Sequence, residues 1–551
     1  MRPVAFKDTT IQGDLAFRAA KNFERLHDER WHPGPVFMPH DYEWPADMEG
    51  RTILALVCLA RALDKRPEHL DAILAKLPGV LNERGYLGPV MPEGIADEQV
   101  FSGHSWLLRG LLEHYAWNGR TESLEIARGI VEGLFLPAVD AYHGYPLESI
   151  VTEDVGEAAG ERSGKQENGW VLSTDVGCAF IPIDGISHAY QVMKTPALKV
   201  LLDAAIARYA KADKAALRMQ THATLSGLRG VLRYYETDGD PAMLRLARDT
   251  YALYRGEAMT EHYANYNWFG RPEWTEPCAV VDSFIVAFQL WQHTGEAAYL
   301  EDAHHIYFNG LGYGQRPNGG FGCDVCAGAR GPYLHPVSEA LFEAYWCCTM
   351  RGAEGLAKAA EYAWMTDENG LTIPFYHESE ARLAFADGTL SLKQTTGYPF
   401  DGCVYLEVLA SDLTEPKTMR LHVPSWAESA VLKHNGQDVP AEVRQGFVSL
   451  TRVLAAGDRI ELTFPVGLRK ADRVNHLSVP EVFSLRHGPL VLGLANTDGT
   501  VVRLDPGGLT CEGNACYRVN GMDRTLGPVN DLIHLPVEEA LKDRRQILFP
   551  A

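Results

Sequence analysis

From about residue 16 to 365 the apolar positions recur at helical spacing, as in Trp106, Leu107, Leu111, Leu112 and Tyr115, and predict a long run of amphipathic helices. One pattern returns three times within it: Tyr115-x3-Gly119-x4-Leu124-x2-Ala127, Tyr235-x3-Gly239-x4-Leu244-x2-Ala247 and Trp291-x3-Gly295-x4-Leu300-x2-Ala303. Each reads as helix, stop, helix. The glycine takes the left-handed conformation that ends a helix, the aromatic four residues earlier covers its last turn, and Leu and Ala three apart start the next apolar face. The glycines lie 120 and 56 residues apart. With a weaker copy near Lys194-Thr-Pro-Ala197, a unit of about 58 residues tiles this stretch some six times. Six αα-hairpins in succession predict a closed (α/α)6 barrel, a six-hairpin toroid.

After Thr366-Asp-Glu-Asn-Gly370 the period changes to alternation, as in Met419-x-Leu-x-Val423 and Ile460-x-Leu-x-Phe464, with turns at Asn435-Gly436 and Gly457-Asp458. The expected fold is therefore mainly α with an additional β domain. Residues 16–365 form the barrel and residues 366–551 one or more β-sandwich domains. Residues 1–15 form an N-terminal segment that adds a strand to the sandwich. Residues 150–170, rich in Glu and Gly, read as a long loop over one mouth of the toroid.

The 551 residues carry 51 Lys and Arg against 72 Asp and Glu, a net charge of −21 without a basic patch, which argues against nucleic acid as a partner. The first residues lack an apolar signal region, and no stretch reaches the roughly 18 apolar residues of a membrane span. The expectation is a soluble, cytoplasmic chain, with a homodimer among its expected assemblies. Ten cysteines are too few for a disulfide scaffold, yet they cluster.

Glu276 and Cys278, in Thr275-Glu-Pro-Cys278, and Cys347 and Cys348, in Tyr345-Trp-Cys-Cys-Thr349, offer one carboxylate and three thiols, donors that suit zinc. Two other readings stand beside this. Cys323-Asp-Val-Cys326 could join Cys347 and Cys348 in a four-cysteine site, or the cysteines could be small buried apolar residues.

In order along the chain these segments resemble the β-L-arabinofuranosidases of glycoside hydrolase family 127 and its relatives, over roughly residues 10 to 495. Glu276-Pro-Cys278-Ala279 is similar to the family's Glu-Thr-Cys-Ala. It is followed by Leu290-Trp-Gln-His-Thr-Gly295 and Tyr307-Phe-Asn-Gly310, and Cys347-Cys348 is similar to the family's Cys-Cys-Pro-Thr-Asn. Leu421-His-Val-Pro-Ser-Trp426, Gly446-Phe-Val-Ser-Leu450 and Arg486-His-Gly-Pro-Leu490 continue the series. The resemblance implies a retaining, zinc-dependent glycoside hydrolase acting on a glycoside or oligosaccharide. Glu276, Cys278, Cys347 and Cys348 would hold the zinc and Cys347 would be the nucleophile. In Gly256-Glu-Ala-Met259, Glu257 would be the acid/base, with Glu261 as competitor. His104, His222 and, third, His188 would bind sugar hydroxyls, and Trp346 would line the sugar subsite.

The resemblance breaks around the cysteine pair. Tyr345-Trp346 precedes it, and Thr349-Met350-Arg351 follows where the family has Pro-Thr-Asn, so the sugar subsite is expected to differ. A zinc-stabilised carbohydrate-binding protein and a toroid lyase are the rival functions.

Overall fold

The computed structural model describes residues 1–38, 44–148, 162–496 and 498–551, with helices prevailing as far as Glu361 and strands from Met365 onward. The longer helices are α1 (Gly13–Arg25), α2 (Asp47–Leu63), α3 (Glu98–Asn118), α4 (Thr121–Ile130), α5 (Pro182–Met193), α6 (Pro196–Lys211), α7 (Thr221–Asp238), α8 (Pro241–Glu257), α9 (Pro277–Thr294), α10 (Ala297–His305) and α11 (Cys348–Glu361).

The repeat glycines end three of these helices. Gly119, Gly239 and Gly295 have φ of +72°, +75° and +72°, and their N–H groups donate to the carbonyls of Tyr115, Tyr235 and Trp291. Lys194, at φ +50°, closes α5 in the same way on Tyr190. After each stop the chain folds back, so that α4 lies on α3, α6 on α5, α8 on α7 and α10 on α9. The remaining helices make a closed circuit of contacts: α2 on α3, α3 on α5, α5 on α7, α7 on α9, α9 on α11, and α11 again on α2. Some of these contacts are backbone to backbone. A Cβ on Gly50 of α2 would stand 2.2 Å from the Leu107 nitrogen of α3, and one on Gly230 of α7 would stand 2.4 Å from the Ile183 carbonyl carbon of α5.

Inside the circuit lies a buried ionic layer. Arg229 donates to Asp282 at 2.8 Å and to Glu354 at 2.6 Å, Arg109 donates to Glu354 at 3.0 Å and pairs with Asp184, and Arg351 pairs with both Asp282 and Glu354. Burial alone would raise the Asp282 carboxyl, but Arg351, His222 and Arg229 hold it well below the usual range. Each charge sits in a shared network, so removing one partner strands another in the interior.

Among the described residues the β-rich region contains three sheets. A five-stranded sheet runs Arg2–Pro3, Met365–Asp367, Gly370–Ile373, Lys417–His422, Phe447–Arg452. A seven-stranded one includes Ser379–Phe385, Gly388–Thr396, Cys403–Ser411 and Arg459–Thr463, with Thr9–Ile11 at its edge, where Ile11 pairs with Ser379. Alternate residues of Ser379–Phe385 and Cys403–Ser411 are buried. Asn435 and Gly436, both at positive φ, make the tight hairpin between Val431–His434 and Gln437–Val439. The third sheet, from Leu468 to the C-terminus, recruits Asp324–Val325 and Tyr333–Pro336 from between α10 and α11, with Leu334 opposite Arg545.

Of the expected loop at 150–170, the part up to 161 lies outside the described residues. Arg162–Glu167 is a strand paired with Trp170–Ser173 rather than a loop, because those residues find backbone partners in each other.

Gly50→Ala is expected to destabilise the protein by roughly 1–3 kcal/mol, since the added methyl must force α2 away from α3. Denaturant midpoints measure this, and an unchanged midpoint would contradict the backbone contact.

Candidate metal centre

The local sequence puts the four donors at two helix starts. Pro277 suits the first position of α9, where its fixed φ is pre-organised and its missing N–H would have had no partner. Glu276 therefore occupies the cap in extended conformation, and Cys278 lies in the first turn. Cys347 caps α11 at φ −143°, ψ −64°, and Cys348 is that helix's first residue. Helices α9 and α11 pack on each other, which unites the two halves across 70 residues of sequence. Both N-termini present partial positive charge to whatever anion gathers there.

One donor atom from each of Glu276, Cys278, Cys347 and Cys348 falls within 4.8 Å of all the others. The Cys278 and Cys348 sulfurs are 3.7 Å apart and the Cys347 and Cys348 sulfurs 3.4 Å. A tetrahedron with metal–sulfur bonds of about 2.3 Å has corners about 3.8 Å apart, so the donors stand close to coordinating distance. Cys278 and Cys348 are buried, whereas Cys347 is partly exposed and is the accessible thiol of the set.

Electrostatics makes the same demand. Burial, then Asp175, pushes the Glu276 carboxyl up to about 8. Burial drives Cys278 and Cys348 well above the ordinary thiol range. For Cys347 the hydrogen bond with Cys278 acts downward, but Cys348 and burial outweigh it and the net shift is well upward. Without a cation the four groups stay protonated near neutral pH, and a dication at their centre would reverse that balance. The donor set thus fits a thiophilic metal.

Supporting residues come from other elements. Arg51 of α2 grips Asp47 at 2.8 and 2.9 Å, lies over Trp106, and donates to the Cys278 sulfur at 3.6 Å. Gln220, capping α7, donates to Glu276 at 3.2 Å and fixes the carboxylate's orientation. Asp175, buried in the turn after Trp170–Ser173, raises both Glu276 and Cys178. Its neighbour Val176 accepts from the Gln220 amide at 3.0 Å. No spacing in the sequence marks Arg51, Asp175 or Gln220.

The histidines divide. His222 sits in the first turn of α7, stacked on Trp106 with ring centroids 5.5 Å apart, and its Nδ1 donates to Asp282 at 2.8 Å. Burial lowers it to about 4, so the ring is neutral, and its buried Nε2 meets no described protein group, a lone pair free to accept a hydroxyl. His104 differs from expectation. Its Nδ1 donates to the Val100 carbonyl at 2.6 Å and its Nε2 accepts the Leu87 amide at 3.0 Å, so backbone satisfies both nitrogens and neither remains for a sugar. His188 also differs: mid-helix in α5, it accepts from Arg109 at 3.2 Å and belongs to the buried ionic layer.

Nor does the structure bring Glu257 to the cluster. It is the last residue of α8, partly exposed, with His476 at 3.6 Å, and it is not among the leading influences on any of the four donors. Glu261 is spent elsewhere, accepting from the amides of Val474 at 2.8 Å and Asn475 at 3.1 Å and from the Ser478 hydroxyl. It docks the loop of the third sheet.

The residues around the cysteine pair also separate. Tyr345 and Trp346 pack edge to face, 5.0 Å between centroids, and are exposed and partly exposed beside Cys347. Thr349, Met350 and Arg351 face inward: Thr349 bonds Glu343 at 3.0 Å, Met350 meets the Thr52 hydroxyl at 3.1 Å, and Arg351 enters the ionic layer. The change after the pair anchors the helix, and the change before it lies at the accessible side.

Comparison with known proteins agrees with this geometry. The catalytic-domain model of the GH127 β-L-arabinofuranosidases matches residues 208–361, which hold all four donors, and the family's middle-domain model matches residues 370–466. No curated protein matches the sequence. A solved structure described as a glycoside hydrolase aligns with a TM-score of 0.74 at 15% identity, covering 100% of this chain and 97% of that one. A GH127 β-arabinofuranosidase aligns at 0.70 and 14%, covering 100% and 97%, and a GH127 β-L-arabinofuranosidase from Geobacillus stearothermophilus at 0.67 and 13%, covering 98% and 100%. At such identities the structures share a fold, while the two family models carry the kinship. The catalytic and middle domains of one family are matched in order along the chain, and these two matches support its kinship with the GH127 glycoside hydrolases.

Proposed function

We propose that the protein is a retaining, zinc-dependent glycosidase of the β-L-arabinofuranosidase type, with Cys347 as its nucleophile, releasing a terminal sugar from plant-derived glycans. The observation that carries this reading is the set of four donors within 4.8 Å, inside the family-matched stretch, with Cys347 its accessible sulfur. In the same reading residues 16–365 are an (α/α)6 barrel, supported by the closed helix circuit, and residues 366–551 are β-sandwich domains that brace it, with residues 1–15 lending edge strands.

Zinc held by Glu276, Cys278, Cys347 and Cys348 would keep the thiols ionised at neutral pH, the condition a sulfur nucleophile needs. The Cys347 sulfur attacks the anomeric carbon as the bond to the leaving oxygen breaks and that oxygen takes a proton from a carboxylic acid. The same carboxylate then deprotonates water, whose oxygen attacks the anomeric carbon and expels the Cys347 thiolate. Two inversions give net retention. Asp175 is the better candidate for that carboxylate, because it is buried and acts on Glu276 while Glu257 stands apart. His222 Nε2 accepts a sugar hydroxyl, and Trp346 offers its ring to the sugar face.

Two outcomes follow. After incubation with an activated arabinofuranoside, peptide mass spectrometry should find the sugar on Cys347, and an adduct on any other residue would overturn the mechanism. Asp175→Asn should lower kcat/KM by about 10²–10⁴-fold, the range of general acid–base catalysis, while Glu257→Gln stays near wild type. The reverse ranking would return the role to Glu257.

A further inference from the structure

We propose that Cys323 is a reserve thiolate of the metal centre, placed to take over from Cys347 when the Cys347 sulfur is bonded to carbon. This rests on the reading of Cys347 as nucleophile.

Strand register supplies the placement. Trp274 and Val325 form an antiparallel bridge. The Thr275 amide donates to the Asp324 carbonyl at 2.9 Å, the Asp324 amide to the Thr275 hydroxyl at 3.0 Å, and the Cys326 amide to the Glu273 carbonyl at 3.0 Å. Continued two residues further, that register sets Cys323 opposite Glu276, and opposed residues of an antiparallel pair send their side chains to one face about 5 Å apart. The other end of the segment is tied to the second half-site. The Phe321 amide donates to the Thr349 hydroxyl at 3.1 Å, and the Ala344 amide to the Phe321 carbonyl at 2.9 Å.

Cys323 is thus strung between the residue before Glu276 and the residue after Cys348. Its own amide donates to Leu341 at 3.1 Å, and its carbonyl accepts from Val337 at 3.1 Å and Arg316 at 3.2 Å. Its side chain is buried, and it is among the groups that push the Cys348 thiol upward. Cys326, three residues on, has its sulfur 3.9 Å from the Asp324 carbonyl. Cys323 is outside the tight group of four, which marks it as a reserve rather than a resident donor.

The chemistry gives the reserve a purpose. When Cys347 forms its C–S bond and the C–O bond breaks, an anionic thiolate becomes a neutral thioether, a far weaker donor. Cys323, giving its proton to solvent, restores the lost negative charge, and it takes the proton back when water frees Cys347.

Cobalt(II) loaded in place of zinc reports the number of thiolates through its sulfur-to-metal charge-transfer band. Wild type, Cys323→Ser and Cys326→Ser should show equal band intensity per bound metal. Cys347→Ser should keep that intensity because Cys323 moves in. The Cys323→Ser/Cys347→Ser double variant should fall to about two-thirds of it, two thiolates remaining of three, and chelator competition should show it holding cobalt more weakly than Cys347→Ser. Should serine at 323 prevent folding, as judged by circular dichroism, Cys323→Ala gives the same comparison. Cys347→Ser already at the reduced intensity, with the double variant no lower, would overturn the proposal. A wild-type protein that takes up no cobalt would overturn the metal reading as a whole, a failure distinct from that of Cys323 alone.

Discussion

Four acidic groups gathered within 4.8 Å, three of them thiols and two of those buried, cannot ionise together unless a cation joins them. Their shifts run one way, with Glu276 near 8 and each thiol above its ordinary range. The rest of the site follows from this constraint. In the proposed reading a metal would supply the missing charge and make thiolate available, and partial exposure would direct that reactivity to Cys347. Arg51, against the Cys278 sulfur, contributes one further positive charge from the protein itself.

The helical region is built to hold that cluster still. Glu276 and Cys347 cap adjacent helices of one closed circuit, so the distance between the half-sites is set by the packing of α9 on α11. Beneath them the ionic layer of Arg109, Arg229, Arg351, Asp184, Asp282 and Glu354 ties five helices together, and Asp282 reaches up to orient His222. Asp282 therefore belongs to both layers, and its replacement would disturb packing and site together.

The sequence disclosed what is local. Glu-x-Cys and Cys-Cys each lie in one helix turn, and the repeat glycines report a backbone conformation that glycine adopts readily, so both could be read without a structure. Alternation marked the long strands, but Asp324–Val325 is too short to show a period, and its partner strands lie far along the chain. Glu257 lies apart from Glu276 because nearness in sequence does not fix direction: it ends α8 beside His476, and 18 residues of loop separate the two. His104 misled because a histidine four residues after a carbonyl can bond its own helix. Asp175, Gln220 and Arg51 are ordinary residue types from distant elements, and only the closed circuit brings them to the metal donors.

X-ray absorption at the zinc edge of the purified protein addresses the centre most directly. The expected result is one zinc per chain with three sulfur atoms at about 2.3 Å and one oxygen at about 2.0 Å, lost when Cys278 is replaced by alanine. A shell of four sulfurs, or zinc that survives that replacement unchanged, would contradict the site formed by Glu276, Cys278, Cys347 and Cys348.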